Sequence, residues 1–403
     1  MDKQSDGLKD KSTPEMNFVE KSLFGVPFKK IHTILLGLAL VILLALFSMW
    51  LSNFIGITLL GFTKSPISSV MICLILGMVI NNVIKLPKAF EPGFKFSVKK
   101  LLRFGIIMLG IRLSLSDVFK LGLIGIPLVV ACITSALLIT SYLNKKLNQP
   151  KRLGTLIAVG TAICGVSAIV ATSPTIDAKE EETAYAVAVI TVFGLIATMF
   201  YPFLAFYLFG GNPVEAGLWL GTSIHDTSQV TGSALIFADF WNLPQALDVA
   251  TVTKLVRNVF MILVIPLMAF IYTRNKQRAA EELQSTNEVI KPKINYFKLF
   301  PLFIIGFLLM SVFRTLGDIG IDLNNLAYGF ISPEVWNDLI KVIKDVANFL
   351  FIVALGGVGL TTKFSKFRGL GTKPFLVGLF AALTIGIISF LMITLMGGFI
   401  TIS

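Results

Sequence analysis

Apolar runs of membrane length recur along this chain, separated by short polar connections. A hydrocarbon core of about 30 Å takes about 20 apolar residues per helix. On that rule the qualifying windows are 31–51, 65–84, 100–116, 121–143, 153–175, 183–209, 216–237, 248–272, 297–316, 345–362 and 374–398. The pattern predicts an all-α polytopic membrane protein with about 11 transmembrane helices, one of which could be re-entrant. Long alternating strands are absent, which argues against a barrel. The first 30 residues are polar and charged, and the first apolar run is too long for a signal-peptide core. Residues 1–30 read as a cytoplasmic tail, and 31–403 as one transmembrane domain.

Polar residues interrupt three of these windows. GTSIHDTSQVTGSA, residues 221–234, crowds seven Ser, Thr and Gln side chains between LWL and LIF. Inside lipid every backbone polar group must be satisfied internally, so such a run must face protein or water. Gly weakens a helix, and Ser and Thr compete for its hydrogen bonds. A break here would aim a half-helix N-terminus, which attracts anions, at the membrane middle. GTAICGVSA has the same build, with Gly160, Thr161, Cys164, Gly165 and Ser167. ALGGVGLTT, residues 354–362, is a third candidate break. Its alternative is close helix packing on small residues.

Intramembrane ionisable residues are costly and point to function. His225 and Asp226 suit proton coupling, because His titrates near neutral pH. In the next helix Lys254 and Arg257 lie one turn apart, which calls for negative charge nearby. Asp226, Asp248 or an anionic substrate held by an arginine fork could supply it. Arg112 lies nearer a helix end and could snorkel. ATSPTIDAKEEETAY, residues 171–185, reads as a charged loop at the outer mouth. Lys179 there could latch onto a carboxylate of Glu180, Glu181 or Glu182.

The chain also resembles itself. At an offset of 247, Gly110, Leu113, Gly122 and Pro127 match Gly357, Leu360, Gly369 and Pro374. With eleven crossings those segments run in opposite directions, as inverted repeats of secondary transporters do. At an offset of 61, GTAICGVSAI matches GTSIHDTSQV. The helices that follow match at an offset of 64, with Pro202, Ala205 and Phe206 against Pro266, Ala269 and Phe270. With eleven crossings this second pair runs parallel and cannot be inverted unless one member re-enters.

Composition narrows the class. The 403 residues are 55% hydrophobic and 14% charged, far from the roughly 25% charge of a soluble domain. The net charge of +12 raises nucleic-acid binding, but its placement argues against it. With the N-terminus inside, segments 1–30, 85–103, 144–152, 210–215, 273–298 and 361–373 hold 26 of the 35 Lys and Arg residues. That is the positive-inside bias of a membrane protein. Cys73, Cys132 and Cys164 have neither disulfide nor zinc spacing. GITLLGFTK lacks the Lys and Ser or Thr of a phosphate-binding loop, and no metalloprotease or nucleophile-elbow motif occurs. Neither an enzyme nor a cofactor is indicated.

GTAICGVSAIVATSPTIDAKEEETAYAVA, GTSIHDTSQVTGSA and the TVTKLVRNVFMI helix resemble the sulfate-exporter family of YeiH-type membrane proteins. The likeness runs from about residue 35 to the C-terminus. It implies two inverted repeats and a core of crossed, broken helices moving against a scaffold, grouped with cation/proton antiporters and bile-acid transporters. Carried onto this chain, the motif residues are Gly160, Thr161, Cys164 and Ser167, then Gly221, Thr222, His225, Asp226 and Gln229, then Lys254 and Arg257. Asp226 stands where related motifs carry Glu, a longer carboxylate. The expectation is a proton-coupled secondary transporter of sulfate or an organosulfur anion in the bacterial inner membrane, with a homodimer as a possible assembly. Ser223 joins the substrate-binding set, with His225 and Asp226 as the proton-coupling pair. A Na⁺/H⁺ exchanger and an anion channel are the alternatives.

Overall fold

The computed structural model describes residues 31–59, 65, 68–282, 301–363, 365 and 372–396. The expected tail 1–30, most of GITLLGFTK, residues 283–298 of the expected basic loop, and Gly369 lie outside them. The helices are α1 (His32–Asn53), α2 (Ser69–Val83), α3 (Glu91–Phe96), α4 (Leu102–Leu109), α5 (Leu115–Lys146), α6 (Lys151–Ala162), α7 (Val166–Thr172), α8 (Glu180–Leu208), α9 (Pro213–Ser223), α10 (Thr227–Trp241), α11 (Gln245–Val259), α12 (Met261–Glu282), α13 (Phe303–Asn324), α14 (Pro333–Thr361) and α15 (Thr372–Met396). Among the described residues six helical stretches are long and apolar enough to cross a bilayer. They are His32–Leu59, Leu115–Lys146, Glu180–Leu208, Gln245–Asn275, Phe303–Asn324 and Thr372–Met396.

Two of the eleven expected crossings are hairpins. The window 153–175 breaks at 163–165 into α6 and α7. Gly165 takes a φ of +66°, which favours glycine. Beyond it the chain folds back on itself, so that Ile169 of α7 lies against Gly160 of α6. Ile176 shares a cluster with Leu153, near the start of α6. The window 216–237 breaks at 224–226 into α9 and α10. Here a capping box starts α10. Asp226 Oδ1 accepts the Ser228 N–H at 2.9 Å, and Gln229 Oε1 accepts the Asp226 N–H at 3.1 Å. Gly217 and Gly221 of α9 pack on Ala246 and Ala250 of α11, so α9 runs along α11 in the same direction. At the start of α10 Asn258 Nδ2 donates to Thr227 Oγ1 at 3.2 Å, and its far end joins α11 within four residues. So α10 runs the opposite way, and the segment re-enters.

The hairpins come from opposite ends of the molecule. The base of α6–α7 lies beside the end of α12, where Arg152 Nε donates to the Tyr272 hydroxyl at 2.9 Å. The base of α9–α10 lies beside the end of α8, where Trp241 stacks on Phe206 with centroids 4.5 Å apart. Each hairpin is followed by a long helix, α8 after the first and α11–α12 after the second, and these run antiparallel. The 61-residue likeness therefore joins units of opposite direction, because both hairpins re-enter. The 247-residue likeness also joins antiparallel helices, since Gly105 meets Phe351 and Gly357 meets Ser97.

Segment 171–185 moves with this correction. It lies at the base of α6–α7, on the same end as Arg152, and not across the molecule from it. Among the described residues Lys179 forms no ion pair through its ammonium. Its backbone N–H donates to Glu182 Oε2 at 2.8 Å and opens α8.

The third candidate break, 354–362, is continuous helix within α14. Its glycines let α14 meet α2 closely. A Cβ on Gly359 would lie 3.0 Å from Gly77 Cα, and one on Gly77 would lie 2.8 Å from the Gly356 carbonyl oxygen. Helix packing in lipid gains from such close approach. Gly359→Val is expected to force α2 and α14 apart and cost about 1–3 kcal/mol or more. A lowered thermal midpoint of the detergent-solubilised protein would show it, and an unchanged midpoint would refute it.

Candidate functional site at the hairpin tips

The two tips meet at the level of the α11–α12 junction. A Cβ on Gly165 would lie 3.5 Å from Asp226 Cα, and Cys164 Sγ lies 3.6 Å from Met261 Sδ. A helix that stops leaves its last carbonyls without partners and carries partial negative charge there. Both α6 and α9 stop inside the protein, where water cannot help.

Lys254 and Arg257 resolve this. Both are fully buried. Lys254 Nζ donates to the carbonyls of Ile163 at 2.9 Å, Ile224 at 3.0 Å and His225. An ammonium has three N–H groups, and all three are taken. Arg257 donates from Nε to Ala162 at 2.8 Å and from Nη1 to Thr222 at 2.6 Å and Ile224 at 3.1 Å. Its Nη2 reaches the Thr161 carbonyl. The negative charge these cations were expected to need is supplied by two helix C-termini. No carboxylate lies within ion-pair distance of either cation among the described residues.

The other predicted residues divide in two. Gly160 lets α7 fold onto α6, Gly221 packs on α11, and Thr222 and Ser223 bond within α9 and to α15, outside the cavity. Thr222 Oγ1 and Ser389 Oγ of α15 lie 2.5 Å apart, and Ser223 Oγ donates to the Trp219 carbonyl at 2.5 Å. Thr161 is buried and its hydroxyl has no partner among the described residues. Cys164 is buried beside Met261. His225 is 1% exposed, and neither ring nitrogen has a hydrogen-bond partner among the described residues. Asp226, Gln229 and Ser167 line a cavity of about 770 Å³. His225 does not, so the expected proton-coupling pair is split between two environments.

The cavity ends on the hairpin tips at Ser167, Asp226, Thr227, Ser228 and Gln229. It opens toward the basic end, past Lys99, Arg103 and Lys363, with Glu181 nearby. Its walls carry Leu102, Ile106, Ile190, Phe303 and Val358. Arg103 also lies over the Phe303 ring, 5.9 Å from its centroid. Asp226 Oδ1 accepts from the Ser228 hydroxyl at 2.6 Å and caps α10. Thr227 and Ser228 belong to the polar run 221–234 but are absent from the substrate-binding set expected from sequence. The Asp-x-x-Gln spacing at 226–229 is a capping-box signature that marks them as a helix start. Lys99, Arg103 and Lys363 carry no local signal, because the fold alone brings them to one mouth. Arg112 does not snorkel. It pairs with Asp248 and donates to the Pro244 carbonyl at 3.3 Å, tying the end of α4 to the start of α11. No group of three or more His, Cys, Asp and Glu side chains suited to a metal occurs among the described residues.

Long apolar helices and two buried re-entrant hairpins define a polytopic helical membrane protein. The chain matches the family described as "Conserved hypothetical protein 698" over residues 36–378 and belongs to it. It is 33% identical over 320 residues to a UPF0324 membrane protein of Fusobacterium nucleatum, covering 78% of this chain and 87% of the relative. It is 31% identical over 361 residues to a UPF0324 membrane protein of Bacillus anthracis, covering 90% and 94%. A relative in Bacillus cereus is also 31% identical over 361 residues, covering 90% and 91%. These names state membrane location and give no substrate, so the sulfate-exporter resemblance is finer than they support.

Arg257→Ala is expected to take the arginine donor from the buried carbonyls of Thr161, Ala162 and Thr222 and to cost about 3 kcal/mol or more, at about 1–3 kcal/mol per buried group left unpaired. The check is thermal unfolding followed by size-exclusion chromatography. A variant as stable as the parent would mean that the carbonyl contacts contribute little.

Proposed function

We propose that this protein is a secondary transporter for a small organic anion of the sulfonate or organosulfur kind. It works by alternating access in a bacterial inner membrane, with its basic end cytoplasmic and proton coupling at Asp226. The observation that carries this reading is the cavity that runs from the basic mouth to both hairpin tips. Paired units of opposite direction with broken helices at their meeting point are the architecture of many secondary transporters. An anion would enter past Lys99, Arg103 and Lys363. It would then meet the N-terminal turn of α10 and the hydroxyl and amide groups of Ser167, Thr227, Ser228 and Gln229. The apolar walls suit an anion with a carbon body better than bare sulfate. Asp226 is the carboxylate at the tips, and its neutralisation by a proton would favour entry of the anion.

One observation favours a second reading. Asp226 lines the cavity while Lys254 and Arg257 do not, which suits a Na⁺/H⁺ exchanger with Asp226 as ion ligand.

The test is uptake of labelled sulfate and of small alkyl and aryl sulfonates into proteoliposomes, with and without a pH gradient. Sulfonate flux driven by the gradient is the expected result. Asp226→Asn keeps a good helix cap but should lose gradient dependence and about tenfold in flux, equivalent to about 1.4 kcal/mol. No anion flux, with proton movement driven by Na⁺ instead, would overturn the anion reading in favour of the exchanger.

A further inference from the structure

Broken helices in transporters present carbonyl oxygens at half-helix C-termini, and such oxygens coordinate Na⁺. This chain has that arrangement. The carbonyls of Ile163, Ile224 and His225 come from the ends of two half-helices entering from opposite sides, and they converge on one point. An ammonium occupies that point, on a side chain anchored in α11. It is 0% exposed, and its four-carbon stem leaves no room for a second cation. Arg257 holds the neighbouring carbonyls of Thr161, Ala162 and Thr222, and shares that of Ile224.

We infer that Lys254 is a tethered substitute for a bound monovalent cation. Its ammonium docks the two hairpin tips onto each other, as a free Na⁺ would, and removes any need for Na⁺ at this position. The corollary concerns the ligand. Cutting the side chain back leaves an oxygen-lined site between the tips that selects a small monovalent cation, either Na⁺ or a primary ammonium. Ile163, Ile224 and His225 supply its oxygens. Hard cations take carbonyl oxygens at short range, and methylammonium matches the lost group in charge and in number of donors. Lys254 thus sets which ion the hairpin junction uses. Asp226 faces the cavity on the other side of the break.

The test uses full-length protein, purified and reconstituted, with Lys254→Ala, Lys254→Met and Lys254→Gln. In a medium whose only cation is N-methylglucamine, Lys254→Ala should melt well below the parent. Millimolar Na⁺ or methylammonium should raise its midpoint by about 4 °C, as expected for a ligand that binds only the folded state. The parent should not respond to methylammonium, and neither should Lys254→Met, whose thioether fills the space. Lys254→Gln keeps two N–H donors without the charge. It should fold, melt below the parent and gain nothing from methylammonium.

If Lys254→Ala folds and neither cation shifts it, the inference is wrong. If Lys254→Gln is as stable as the parent without Na⁺, the charge is irrelevant and the inference also fails. An equal methylammonium response in the parent would place the site elsewhere and overturn it too. The methylammonium measurements do not depend on the transport reading, whose exchanger form puts Na⁺ at Asp226 in every variant and in the parent. The flux arm does: if sulfonate uptake is found, uptake by Lys254→Ala should become cation-dependent. Failure of uptake in the parent alone would count against the transport reading and leave the cation site standing.

Discussion

Two buried cations meeting two helix C-termini hold the centre of this protein. An open carbonyl in an apolar interior costs free energy, and so does an isolated charge. Here each cost offsets the other. Lys254 and Arg257 sit one turn apart on α11, and seven donor contacts reach the last carbonyls of α6 and α9. Without them neither half-helix could end where it does. With them, hairpins entering from opposite ends can touch at their tips.

That arrangement divides the two sides of each break. The C-terminal side, where α6 and α9 end, is sealed by cations and fully buried. The N-terminal side, where α7 and α10 begin, faces the cavity. Asp226 belongs to both, because it caps α10 and also lines the cavity. The residues with chemistry to offer a ligand are therefore Ser167, Thr227, Ser228 and Gln229, with Asp226 among them. The strongest charges in the membrane interior are the ones least available to a ligand.

Close packing supplies the rest of the frame. Glycines bring α2 and α14 into backbone contact, and Gly217 and Gly221 do the same for α9 and α11. Trp219 Nε1 donates to the Gly386 carbonyl at 2.9 Å and fixes α9 to α15. At the far end the Arg112–Asp248 pair ties α4 to α11. Two of these contacts anchor the second hairpin, one on α11 and one on α15, while the N-terminal side of α10 faces the cavity.

Much of this was legible in the residues themselves. Apolar length marks the helices, because about 20 such residues match the bilayer. Both hairpin breaks lie where Gly, Ser and Thr crowd an apolar window, and the Asp226–Gln229 spacing marks where α10 starts. Local chemistry decides such features, so sequence reveals them. Direction and partnership are different. Whether a broken helix continues or turns back depends on what it packs against, and α11 decides that for α9 and α10. The same glycine-rich signal that breaks 221–234 leaves α14 whole at 354–362, because α2 lies close enough to use it. The partners of Lys254 and Arg257 are backbone carbonyls about 30 and 90 residues away in sequence. A carbonyl has no residue identity, so no sequence pattern can name it. Only the tertiary structure, by bringing two helix ends to one point, determined what those charges are for.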